Sequence, residues 1–138
     1  MRKLGIAEIL ELASKQKTTE EKVGILKKYD SAVLQMILRY TFDSSVEWDL
    51  PEGAPPYKPS PYDDSQGMLY QEARRLYLFL KGGNPNLSPL KREQLFISLL
   101  ECLDKEDAKL ILSVKEKKLP YKGINPKIIN TAFPGLIS

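Results

Sequence analysis

The sequence predicts an all-α fold of about seven helices in a compact bundle, interrupted by one long proline-rich loop, and three observations carry that prediction. Over most of the chain the apolar residues recur three and four apart rather than alternating. Helix-start signals stand in front of these stretches at Thr18, Ser88, Asp104 and Asn125. Strand-like alternation and internal repeats are both missing. A length of 138 residues fits a single domain, 1–138. Such a chain can bury roughly two thirds of its unfolded surface, enough for a core without metals or disulfides.

Residues 4–14 open the fold, with Leu4, Ile6, Ile9, Leu10 and Ala13 at helical spacing. Thr18 followed three residues later by Glu21 reads as a capping box and starts a second helix that runs to about Tyr29. Asp30 or Ser31 caps a third, whose stripe of Val33, Leu34, Ile37 and Leu38 is expected to face the first two. Residues 43–64, DSSVEWDLPEGAPPYKPSPYDD, then hold five of the ten prolines. Proline lacks a backbone donor and disfavours helix in the residue before it, so this stretch is a loop. Trp48, Tyr57 and Tyr62 are its expected anchors on the body. Loops of this length in compact domains tend to be functional or mobile.

Helical spacing resumes over residues 65–81, with Met68, Leu69, Ala73, Leu76, Phe79 and Leu80 inward, and Gly82-Gly83 ends it. Ser88-Pro89 is a cap followed by proline at the first helical position, starting a helix through Leu95, Phe96, Leu99, Leu100 and Leu103. Asp104 with Asp107 opens the next, carrying Ala108, Ile111, Leu112 and Val114. Asn125-Pro126 begins a short last helix with Ile128, Ile129, Ala132 and Phe133, closed by Pro134-Gly135.

The chemistry that is missing narrows the function. There is no histidine, which removes the commonest general base and the commonest metal ligand together. One cysteine and no histidine cannot build a standard zinc site, and no GxxxxGK[ST] or GxGxxG phosphate loop occurs. Cys102, among Leu99, Leu100 and Leu103, reads as a core thiol, and a single thiol without an internal partner fits a reducing compartment. The pairs Asp63-Asp64 and Glu106-Asp107 read as solvated or capping carboxylates. No cofactor, no metal and no small-molecule substrate are expected, and the chain reads as a binding module rather than an enzyme. No apolar run approaches the ~20 residues that span a bilayer, and residues 1–3 do not begin a signal peptide. A cytoplasmic location without membrane association is the expectation, in the host cytoplasm if the chain is viral.

Charge gives the positive indication. Net charge is +3, yet residues 1–60 carry nine basic and nine acidic side chains, and residues 61–114 seven basic and eight acidic. The excess lies in residues 115–138, where Lys115, Lys117, Lys118, Lys122 and Lys127 face Glu116 alone. These lysines surround a turn that leads to the start of the last helix, where unpaired backbone N–H groups make a seat for phosphate. The same lysines can equally be read as a solvated face that keeps the chain soluble. Tyr121 can stack on a sugar or base, or anchor Leu119-Pro120 to the core.

The stretch 117–137, KKLPYKGINPKIINTAFPGLI, resembles the segment that closes the N-terminal DNA-binding domain of bacteriophage and related ATP-dependent DNA ligases. There a basic, glycine-containing turn leads into a short helix ending in Phe-Pro-Gly-Leu or Trp-Pro-Gly-Leu. The order of the rest agrees: the helix with VLQMILRYTFD at 33–43, the LKGGNP break at 80–85 and the LDKEDA helix start at 103–108 are similar to their counterparts. Two departures stand out. The KxDG motif, whose lysine takes AMP in the ligases, is missing, so the chain is not expected to ligate by itself. Where the ligases carry Asp-Leu-Arg-Cys-Gly, this chain has Leu119-Pro120-Tyr121-Lys122-Gly123, and lysine supplies point charge without arginine's fork.

The resemblance implies a stand-alone accessory protein of phage type that holds the double-stranded DNA backbone without reading sequence. Lys115, Lys117, Lys118, Lys122 and Lys127 would contact phosphates, Gly123 would allow close approach, and the helix start at Asn125 would donate N–H groups. Arg74, Arg75 and Arg92 are secondary candidates. The competing expectation is a protein-interaction module that kept the scaffold and lost DNA binding. Its partner would be a phage or host protein, met through Trp48, Tyr57 and Tyr62 of the 43–64 loop. Exposure of Trp48 would favour that module, and burial would count against it.

Overall fold

A computed structural model describes residues 4–51, 53–58 and 68–137. Among them are seven α-helices and no sheet: α1 (Ile6–Ser14), α2 (Thr19–Lys28), α3 (Ala32–Phe42), α4 (Met68–Glu72), α5 (Pro89–Cys102), α6 (Lys105–Lys115) and α7 (Pro126–Ala132). A 3-10 stretch, Ala73–Phe79, continues α4. The predicted caps form: Thr18, Ser31, Ser88 and Asn125 each accept a hydrogen bond from the backbone N–H three residues on, and Asp104 accepts from Glu106. Each satisfies a donor that the first helical turn leaves without an intrahelical partner.

The centre of the bundle is α6. It packs against α1, α3 and α5, and Ala108, Leu110, Ile111 and Val114 are buried on more than one side of it. A helix apolar on several sides belongs in the interior. The stripe of α3 was expected to face α1 and α2, but its main neighbour is α6, with Leu34, Ile37 and Leu38 fully buried. Meanwhile α2 lies between α1 and α7, joined to both through Val23 and Leu26. The core closes over Phe79 and Phe96, whose rings meet edge to face at 5.2 Å.

The predicted helix over 65–81 is shorter and more tightly wound than its spacing suggests; residues 65–67 lie outside the described part of the chain. Its last carbonyls are engaged elsewhere. Phe79 O accepts from Asp49 N at 2.7 Å, Leu78 O from Arg92 Nε at 3.3 Å, and Leu80 is extended and bridged to Trp48. Gly82, at φ +81°, then reverses the chain. These contacts draw the proline-rich segment along the bundle. Prolines leave that segment few backbone donors, and two that remain are taken by carboxylates of the body: Gly53 N by Glu116 at 2.7 Å and Lys58 N by Glu101 at 2.9 Å.

One polar side chain is built into the α1–α6 contact. Asp107, read as a first-turn acid of α6, is buried, and its Oδ1 accepts from Ala7 N in the first turn of α1 at 3.0 Å. Glu8 accepts from Gly5 N at 3.0 Å, so α1 is capped from two sides. The other Asp107 oxygen has no partner among the described residues. Burial pushes this carboxyl up to about 7; the Ala7 N–H opposes the shift, and Asp104, Glu8 and Glu106 add to it.

A carboxyl raised in the folded state stabilises most below its unfolded value, and that contribution is lost as pH rises through about 7. The wild-type chain should therefore carry a stability component that falls by about 1.4 kcal/mol per pH unit between about pH 5 and 7. Asp107→Asn, which keeps the acceptor for Ala7 N, should lack it. Urea unfolding of both proteins across that range checks this, and parallel curves would show that Asp107 is ionised throughout.

Candidate nucleic-acid interface

The basic turn begins where α6 ends. Lys117 N donates to Val114 O at 2.9 Å and Lys118 N to Ser113 O at 3.1 Å, the paired bonds of a helix terminus whose reversing residue is left-handed. That residue is usually glycine; here it is Lys117, at φ +63°. Its side chain supplies the compensation. Lys117 Nζ donates to three backbone carbonyls, Tyr40 O at 3.0 Å, Asp43 O at 2.8 Å and Val46 O at 2.8 Å. Three ammonium protons meet three acceptors at the end of α3, where the helix dipole is negative. Burial draws the Lys117 ammonium below its ordinary value, while Asp43 and Glu47 pull the other way.

Lys115 is also turned inward. It is buried, and its Nζ donates to Pro51 O and to Glu116 Oε1, both at 2.8 Å. The Lys115 hydrogen bond and then the Gly53 N–H hold the Glu116 carboxyl below the usual range. Lys115 and Lys117, expected at the phosphates, are thus fastened to the protein's own backbone. Arg92 is corrected in the same sense: it is buried, donates to Leu78 O and Leu87 O, and pairs with Asp49 at 3.3 Å. Arg74 and Arg75 are exposed on the 3-10 stretch, whose main packing partners are α4 and α5, and Arg75 pairs with Glu72.

Lys118, Lys122 and Lys127 remain exposed, around a turn pinned by buried Ile124. Gly123 has φ +86°, but its open side does not await a ligand. A Cβ placed there would stand 2.7 Å from Lys22 Nζ, which α2 brings across the turn. The seat expected at Asn125 is largely filled, because its Oδ1 takes Ile128 N at 3.0 Å and Pro126 has no N–H to give. Lys22 was not selected from the sequence. One lysine on a helix carries no signal of its own, and only the packing of α2 on α7 brings it to the turn.

The aromatic candidates serve the core. Trp48 is half-buried, edge-on to Tyr40 at 6.1 Å, and donates from its indole nitrogen to Tyr40 O at 3.3 Å. Tyr57 packs on the core as well, and Tyr62 lies outside the described residues, as does the Asp63-Asp64 pair. Tyr121 is packed against the core too. Its phenol is pushed up by burial first and then by the carboxylates of Asp107, Glu106 and Glu11. Burial pushes up the Cys102 thiol as well, with Glu72 adding to it. Among the described residues no three His, Cys, Asp or Glu side chains converge to hold a metal, and no helix is long and apolar enough to cross a membrane.

The model of a family described as "Family of unknown function (DUF6433)" matches residues 9–121, from within α1 to the middle of the basic turn. No curated protein matches the sequence.

The inward and outward lysines should separate in stability. Lys117→Ala should cost about 2–3 kcal/mol in urea unfolding, since it removes three charge-assisted hydrogen bonds at once. Lys117→Gly should cost about 1 kcal/mol less than Lys117→Ala, because glycine relieves the left-handed backbone. Lys118→Ala should stay within about 0.5 kcal/mol of wild type.

Proposed function

The chain belongs to DUF6433, a family of unknown function, and we propose, from the arrangement of its lysines, that it is a non-catalytic module that holds the backbone of double-stranded DNA without reading its sequence. The observation that carries this reading is the partition of the C-terminal lysines. Two are held inward by hydrogen bonds to the protein's own backbone, which leaves Lys118, Lys122 and Lys127 exposed on the turn they anchor. The one side-chain carboxylate of the segment, Glu116, is hydrogen-bonded to Lys115 and Gly53, and the exposed Lys118 is the other lysine that acts on it. Fixed cations on a short turn suit phosphates, which position a protein on a duplex independently of base sequence. The resemblance of residues 117–137 to the closing segment of the phage-type ligase DNA-binding domain supports the same reading, and an accessory role beside DNA enzymes follows from it. The role does not require a cofactor.

The protein-partner reading, with Trp48, Tyr57 and Tyr62 of the 43–64 loop as contacts, draws less support. Trp48 and Tyr57, the two described aromatics, spend their apolar surface on the protein's own core.

Fluorescence anisotropy on a labelled duplex, nicked or intact, tests the proposal. Three phosphate contacts predict that log affinity falls against log salt with a slope of about −2.7 or steeper between about 50 and about 300 mM salt. The combined variant Lys118→Ala, Lys122→Ala, Lys127→Ala should lose binding while unfolding like wild type. Salt-insensitive binding, or undiminished binding by the variant, would reject the proposal.

A further inference from the structure

We propose that Lys22 is a phosphate-contacting residue, delivered from α2 to the basic turn through the notch left by Gly123, so that the duplex backbone is gripped between two elements far apart in sequence. This rests on the reading above and adds a residue and a geometry to it.

Three observations converge on Lys22. The first is position: α2 packs on α7, and Lys22, next to the buried Val23, lies against the chain that enters α7. The second is fit. Lys22 Nζ lies 2.7 Å and Lys22 Cε 3.2 Å from where a Cβ of residue 123 would stand. Any side chain at 123 would press on this ammonium, and φ +86° independently favours glycine. The third is the state of the charge. Lys115 and Lys117 spend their protons on carbonyls and a carboxylate, whereas among the described residues the Lys22 ammonium has no hydrogen-bond or ion-pair partner.

Lys22 stands beside the exposed turn that carries Lys118, Lys122 and Lys127, and its ammonium has no ion-pair partner among the described residues. A phosphodiester oxygen would supply that partner. Gly123 therefore has a different role from the one its place in a basic turn suggests. It admits the protein's own cation, and the ligand's backbone meets that cation rather than the glycine.

The salt dependence of duplex binding isolates Lys22 from a structural role, because a packing residue does not set the number of displaced counterions. With Lys22 as a fourth contact the wild-type slope should be about −3.6, and Lys22→Ala should bring it to about −2.7. Affinity at low salt should drop several-fold in that variant, with the thermal unfolding midpoint unchanged. Lys22→Arg, which keeps the charge, should restore the steeper slope.

Steep wild-type binding with an unaltered slope in Lys22→Ala would overturn this inference while leaving the DNA-binding reading in place. No binding by the wild-type chain at low salt would overturn both. Full competition by inorganic phosphate at millimolar level would assign the site to a free anion and reject the backbone grip.

Discussion

The Lys117 ammonium ties the end of α3 and the start of the proline-rich segment to the end of α6. Its three protons reach Tyr40 O, Asp43 O and Val46 O, which are the last turn of α3, the residue that ends it and the start of the proline-rich segment. Its backbone, at φ +63°, is the reversal that ends α6 and starts the basic turn. A left-handed conformation costs a non-glycine residue about 1–2 kcal/mol. Charge-assisted hydrogen bonds to carbonyls of a helix end offset that cost. Tyr40 O also accepts the Trp48 indole N–H, so the loop's tryptophan is aligned by the acceptor that holds the lysine. Together with the packing of α6 on α3, this side chain sets the position of the exposed turn.

Seen from there, the charge excess of residues 115–138 divides into two functions. Lys115 and Lys117 are structural cations whose acceptors are backbone oxygens of residues 40–51. Lys118, Lys122 and Lys127 are surface cations, and Lys22 joins them from the other end of the chain. A net charge counted along the sequence treats all five as equal. Burial and hydrogen bonding do not, and the electrostatic face of the turn is smaller and more sharply placed than the count implies.

Local features were legible in the sequence, and contacts between distant elements were not. Thr18, Ser88, Asp104 and Asn125 were readable as caps because a cap is a property of four consecutive residues, and each side chain accepts the backbone bond expected of it. The proline-rich loop was equally plain, since proline acts on its own backbone. Asp107 shows the limit. Its place in the first turn of α6 suggested a local role, yet its partner is Ala7, one hundred residues earlier. Periodicity says that a helix has an apolar face and not which neighbour covers it, so α3 was assigned to α1 and α2 when it lies on α6. For the same reason residues 73–79 were read as α-helix: their 3-10 winding follows from carbonyls claimed by Asp49 and Arg92. At the candidate site the exposed lysines were found, while the inward turn of Lys115 and Lys117 and the arrival of Lys22 required the tertiary arrangement.

The ties of the proline-rich segment also order the assembly of the molecule in time. Pro51 O and Gly53 N reach only Lys115 and Glu116, and Val46 O reaches Lys117, three successive residues at the end of α6. These hydrogen bonds within the protein need the end of α6 in place beside α3. The segment thus closes over a docked α6, and its contacts are expected to be missing from the rate-limiting barrier when the chain folds. Weakening it should leave the speed of folding nearly untouched and let the native state open faster. The lifetime of the folded molecule, more than its ability to reach the fold, is written into those three residues.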